Sequence, residues 1–122
     1  RTSAMHASWM RCMKIETRES QGIQIVAFEG NLDTNTSPEA ESKINELIDA
    51  GKQKLLVNFE QLNFISSSGL RVLLATVKKL NASGGDLRIC SLNATVQEVF
   101  DISGFITILK VKNTEEEALS SF

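Results

Sequence analysis

"NFISSSGLRVLL", residues 63–74, sets three consecutive serines between an apolar run and an amphipathic one. Ahead of it, "KLLVNF" (54–59) is almost continuously apolar, the pattern of a central strand covered on both faces. Behind it, Leu70, Leu73, Leu74 and Val77 recur at helical spacing in "GLRVLLATVKKLNASGG" (69–85). That spacing predicts a helix starting near Gly69 and stopped by Gly84-Gly85. A buried strand feeding a helix through a short loop is half of a β-α-β unit, so this stretch sets an α/β fold with parallel strands.

The flanking segments extend the same plan. "KIETRE" (14–19) alternates as a short edge strand, and "GIQIVAFEGNLD" (22–33) is a strand with Ile23, Ile25 and Ala27 on one face and Val26 and Phe28 on the other. "QG" at 21–22 between them predicts a hairpin. In "TNTSPEAESKINELIDAG" (34–51) Ser37 is the expected cap, Pro38 the first helical residue, and Glu39 and Glu41 lie at the positive end of the dipole. Ala40, Ile44, Leu47 and Ile48 form its apolar stripe, and Gly51 ends it. "DLRIC" (86–90) is a strand with Leu87 and Ile89 inward. "LNATVQEVFDISG" (92–104) is a third helix, capped by Asn93, packed through Val96, Val99 and Phe100, and ended by Gly104. "ITILKV" (106–111) is a last strand, and "NTEEEALSSF" (113–122) a last short helix with Thr114 and Glu117 at capping-box spacing. The order β-β-α-β-α-β-α-β-α predicts a mixed, mostly parallel sheet of four to five strands with about four helices.

The whole chain has 122 residues, 42% apolar and 23% charged, enough for one domain with one core. A net charge of −2 gives no basic stripe for nucleic acid, and no apolar run is long enough for a membrane span or a secretory signal. Cys12 and Cys90 stand far apart without CxxC spacing, as two reduced thiols in a cytoplasm do. "RTSAMHASWMRC" (1–12) has no periodicity and holds the sole His and the sole Trp. It is expected to be a tag remnant or disordered arm, with the domain spanning 13–122.

Three roles are open to the serines. One hydroxyl can cap the helix that follows, whose first backbone N–H groups lack partners. A nucleophile would need a base; the sole histidine is His6, in the expected arm, Ile65 breaks a GxSxG pattern around Ser67, and no Ser-x-x-Lys follows. No GxxxxGK[ST] or GxGxxG occurs, and no His, Cys or carboxylate cluster has metal-ligand spacing, so neither a cofactor nor a metal is expected. The third role is modification by a partner. A strand end followed by a helix start is exposed at the carboxyl edge of a parallel sheet, and the helix dipole favours a phosphate there. Arg71 stands four residues after Ser67, at pairing distance along a helix.

"FEQLNFISSSGLRVLL" (59–74) resembles the signature of the STAS domain, and most closely that of bacterial anti-sigma factor antagonists, with their Asp-Ser-Ser/Thr-Gly-Leu core. "FEGNLDTNTSPEAE" (28–41) is similar to the family's Gly-x-Leu-Asp turn and following helix, and "GGDLRICSLNATVQEVFDISGF" (84–105) to its later strand and third helix. The resemblance implies a protein that is not an enzyme. Unphosphorylated, it binds an anti-sigma factor that is also a serine kinase of the histidine-kinase-like ATPase type, and so frees a sigma factor. The kinase phosphorylates the serine two places before the glycine, which maps to Ser67, and a PP2C-type phosphatase reverses it. Asp33 matches an acidic residue near the phosphorylated serine and the kinase contact surface. With Asp33, the implied partner-binding set is Ser66, Ser67, Ser68, Gly69 and Arg71. Ser66 stands where antagonists usually have aspartate. That departure keeps open an alternative: a STAS interaction subunit of a transport or sensory assembly that is never phosphorylated.

Overall fold

Gln21 and Gly22, both at positive φ (55° and 78°), reverse the chain between β1 (Met13–Ser20) and β2 (Ile23–Leu32). The two strands pair antiparallel from Ser20↔Ile23 to Met13↔Gly30. Two left-handed residues between paired strands make the tight hairpin that matches the natural sheet twist. The computed structural model describes residues 13–104 and 109–122. After β2 come α1 (Ser37–Asp49), β3 (Lys54–Ile65), α2 (Ser67–Ala82) and β4 (Asp86–Cys90), then α3 (Ala94–Ser103), β5 (Lys110–Lys112) and α4 (Glu115–Ser120). The five strands form one sheet in the order β1-β2-β3-β4-β5, parallel except for β1. Element order, mixed sheet and antiparallel edge are those expected. The proposed arm (1–12) and residues 106–108 of "ITILKV" lie outside the described residues.

The faces of β2 sort as its alternation predicts. Val26 and Phe28 join Leu55, Val57, Phe59, Leu87 and Ile89 in the main core beneath α1, α2 and α3, where the Phe28 and Phe59 rings sit 5.8 Å apart. Ile23 and Ile25 join Leu56, Cys90 and Ala118 in a smaller core beneath α4. Cys90 is a free, buried thiol whose pKa burial pushes up, so it packs as a small apolar side chain.

Four local expectations are corrected. The N-cap of α1 is Thr36, not Ser37; Ser37 is the first helical residue and Pro38 the second. The Ser37 hydroxyl donates to the Asp33 carbonyl (2.6 Å), and the Thr36 hydroxyl to the Asn31 carbonyl (2.9 Å), so side chains bind the preceding turn rather than the helix. In the second correction α2 starts at Ser67, two residues before Gly69. Third, β4 buries Arg88 and Cys90 as well as Leu87 and Ile89, because α4 covers the other face. Arg88 pairs with Asp86, donates to the Ser121 hydroxyl (2.9 Å) and carbonyl (2.8 Å), and lies 4.6 Å from the Phe122 ring centroid. A buried guanidinium with its donors so engaged avoids the cost of an unpaired charge.

Fourth, β3 does not end at Phe59 but runs on to Ile65, with two register shifts against β2, between Ala27 and Glu29 and between Gly30 and Asn31. Each inserts one extra residue in β3, a β-bulge that re-aims the side chains beyond it. The inward residues then fall at Phe59, Leu62 and Ile65, spaced by three instead of two. The Asn58 side-chain oxygen accepts from the Glu60 N–H (2.8 Å), and Asn93 donates to the Leu62 carbonyl (2.6 Å), which satisfies backbone groups along the bulged segment.

The α4 helix is tied to the sheet by Glu115, whose carboxylate accepts from the Arg18 guanidinium and from Asn58 Nδ2 (2.8 Å). The Arg18 hydrogen bond holds this carboxyl below the usual glutamate range, against the opposing effect of burial. A folded pKa below the unfolded one gives stabilisation that is fully present above the unfolded pKa and is lost as pH falls through the folded one. Glu115→Gln should therefore flatten the stability profile below roughly pH 4 and leave its slope near neutrality unchanged. Urea melts across that range check this; a variant with an unaltered acid limb would contradict it.

Candidate functional site

The carboxyl ends of β2 and β3 lie side by side, and the loops leaving them are bonded together. The Ser66 N–H donates to the Leu32 carbonyl (2.9 Å), and the Thr34 and Ser68 hydroxyls are 3.2 Å apart. Gly69, in the first turn of α2, makes this contact close. A Cβ there would meet Ile65 Cγ1 and Leu32 Cγ, each at 2.8 Å, and both of those side chains are fully buried. Glycine at this position lets the helix start press directly onto the strand ends.

The three serines are placed differently. Ser66 is the N-cap of α2, half-buried, its backbone extended and its hydroxyl accepting from the Gly69 N–H at 3.4 Å. Ser68 is half-buried and tied to Thr34. Ser67, the first helical residue, is exposed, and its hydroxyl has no hydrogen-bond partner among the described residues. Ser66 thus performs the capping that an aspartate can perform there, but brings no charge.

Asp33 lies half-buried in the β2–α1 loop, one residue before Thr34. One of its carboxylate oxygens accepts from the N–H groups of Asn35 (2.9 Å) and Thr36 (3.1 Å), the pattern of an Asx turn. Its local work is to shape the loop that Thr34 uses to reach Ser68. Arg71 is exposed on α2, one turn beyond Ser67, with no hydrogen bond or ion pair among the described residues.

Phe64 was not singled out from the sequence. It is 42% exposed, one of two large apolar side chains in the open among the described residues, and lies two residues before Ser66. The second bulge turns it out while Ile65 turns in. Simple alternation counted from Leu62 would turn Phe64 in and Ile65 out; only the three-residue spacing of Phe59, Leu62 and Ile65 hints that Phe64 is left over.

The surface is thus built of hydroxyls and amides around one exposed aromatic and one free guanidinium. Among the described residues no group of three or more His, Cys, Asp or Glu side chains is placed to hold a metal ion. Nor is any described helix long and apolar enough to cross a membrane.

The comparisons with known proteins agree with this architecture. The STAS domain model matches residues 14–118. BtrV of Bordetella bronchiseptica is 34% identical over 110 residues, covering 90% of this chain and 95% of that protein. The anti-sigma F factor antagonist of Paenibacillus polymyxa is 31% identical over 109 residues, covering 88% of this chain and 93% of that one. Among solved structures, the anti-sigma factor antagonist SpoIIAA in its unphosphorylated form superposes with a TM-score of 0.69 at 25% identity, covering 88% of this chain and 96% of its own. The phosphorylated form of Bacillus SpoIIAA gives a TM-score of 0.68 at 26% identity, covering 88% and 98%. This chain belongs to the STAS domain family, among relatives named as anti-sigma factor antagonists.

Proposed function

We propose that this chain is an anti-sigma factor antagonist switched at Ser67. Unmodified, it binds an anti-sigma factor that is also a serine kinase of the histidine-kinase-like ATPase type, and a sigma factor is released. The kinase moves the γ-phosphoryl group of ATP to Ser67 Oγ, ADP leaves, and the partner lets go. A PP2C-type phosphatase hydrolyses the ester and restores the binding form. The setting proposed is the cytoplasm, since the kinase draws on ATP. Ser67 acts as an acceptor for the partner's chemistry, and the chain itself carries no catalytic role.

One observation carries this reading. Ser66 is committed to the helix cap and Ser68 to Thr34, while Ser67 alone of the three offers an exposed, unengaged hydroxyl. A kinase needs such a group: an acceptor it can reach without breaking the fold. The relatives support the partner class, since one is named an anti-sigma F factor antagonist and another has been solved phosphorylated. The test is reconstitution with the serine-kinase anti-sigma factor of the same genome and ATP. The wild-type chain should gain one phosphate, on Ser67, and Ser67→Ala none. Stable binding with no phosphate gained would favour the interaction-subunit alternative.

Phe64 extends the proposed contact surface. An exposed aromatic beside the switch serine is the kind of side chain that anchors a protein interface. Phe64→Ala should weaken binding to the same anti-sigma factor about tenfold, with little change in melting temperature because the ring is not core. Titration calorimetry beside a thermal melt separates the two effects. Wild-type affinity in the variant would remove Phe64 from the interface.

A further inference from the structure

The described part of the chain has three arginines, and two of them hold carboxylates: Arg18 pairs with Glu115, and Arg88 with Asp86. Arg71 pairs with none. Its own helix offers it nothing acidic, because the positions three and four residues away hold Ser67, Ser68, Leu74 and Ala75. Of the lysines further along α2, Lys79 reaches Asn45 (3.1 Å) and Asp49 (3.9 Å), and Lys78 is exposed two turns away. On the neighbouring loop the Asp33 carboxylate is engaged by the Asn35 and Thr36 N–H groups. The site therefore has a guanidinium with no ion-pair partner among the described residues, beside a run of hydroxyls, while the one nearby carboxylate, Asp33, is turned to its own loop's N–H groups.

Side chains on an α-helix lean toward its N-terminus, so Arg71 leans over the turn that holds Ser67 and Ser68. Ser68 is engaged by Thr34 and Ser67 is not. An acidic group four residues N-terminal to a basic one is the favourable order for a pair along a helix. The guanidinium fork fits two phosphate oxygens at once, which an ammonium does not.

We infer that Arg71 is the internal clamp of the Ser67 phosphate, a positioning residue that holds the dianion down against the first turn of α2 and slows its removal. The inference rests on the reading that Ser67 carries the phosphate. Arg71 then has one job per state. In the unmodified chain it stands free; in the phosphorylated chain it fixes the added group in one place and lengthens the life of the non-binding form.

The test does not depend on the kinase. Phosphoserine is installed at position 67 during synthesis of the full chain, with Arg71 intact, as Arg71→Gln and as Arg71→Lys. The second pKa of the phosphate is read by phosphorus NMR at low salt. With Arg71 intact it should lie about half a unit below that of Arg71→Gln, with Arg71→Lys between them, and the gap should shrink as salt rises. A PP2C-type phosphatase should remove the phosphate several-fold faster from Arg71→Gln. The unphosphorylated variants should melt together, since the exposed Arg71 side chain makes no hydrogen bond or ion pair among the described residues in that state. Equal phosphate pKa values and equal hydrolysis rates across the three chains would overturn the clamp. That failure is distinct from failure of the switch itself, which would show as absence of phosphate on Ser67 in cells.

Discussion

Ser67→Glu is expected to bind the anti-sigma partner about a hundredfold more weakly than the wild-type chain, while Ser67→Ala binds as tightly as wild type and is never released by ATP. The asymmetry follows from what surrounds the residue. Ser67 is exposed and its hydroxyl makes no hydrogen bond within the described structure, so Ala removes nothing that the fold uses. A partner that fits a hydroxyl there loses at most one hydrogen bond to Ala. A carboxylate must instead be stripped of water against a partner surface shaped for a neutral group, and even beside Arg71 that desolvation costs a few kcal/mol. Phosphate adds roughly two negative charges at neutral pH and more bulk, so its effect should exceed that of Glu. Equal affinity of the wild-type, Ala and Glu chains would sink the electrostatic switch.

Gly69→Val is expected to cost about 3 kcal/mol of stability, enough to lower the melting temperature by roughly 10 °C or more in a domain of this size. A first added carbon already falls 2.8 Å from Ile65 Cγ1 and from Leu32 Cγ. Those side chains are fully buried in the main core and have little room to yield. The strain must lift the first turn of α2 off the ends of β2 and β3, which also breaks the Thr34–Ser68 contact. Gly69→Ala should cost less, because alanine's helix propensity returns up to about 1 kcal/mol against the same clash. Chemical denaturation of both variants gives the order, and a Val variant as stable as wild type would mean that the helix start is not held against the strands.

The fold was legible wherever local chemistry decides the outcome. The hairpin at Gln21-Gly22 needs only two residues that tolerate positive φ. Asn93 and Thr114 cap their helices through their own side chains, accepting from Val96 N–H (2.8 Å) and Glu117 N–H (3.1 Å). What stayed hidden depends on distant contacts. Thr36 rather than Ser37 holds the N-cap position of α1, and neither hydroxyl caps the helix because both donate to carbonyls of the preceding turn. Arg88 is buried because α4, some thirty residues later, folds over it. The bulges in β3 break the two-residue period that would have exposed Phe64 to inspection.

At the candidate site, sequence reasoning pointed to the serine stretch and Arg71, and resemblance added Asp33 and Gly69. The residue pattern by itself could not assign tasks among Ser66, Ser67 and Ser68, since three identical residues in a row differ only in the direction the backbone gives each side chain; only the resemblance singled out Ser67. The helix beginning two residues earlier than its apolar spacing suggests is what makes Ser66 the cap and leaves Ser67 facing solvent.

The most direct test of the switch is to capture the endogenous protein from its own cells, in growth and under stress, and to map its phosphates in the partner-bound and free pools by mass spectrometry. The switch predicts an unmodified chain with an anti-sigma kinase attached, and a free chain with phosphate on Ser67. Phosphate on a different residue, or an unphosphorylated chain in both pools and both conditions, would contradict it.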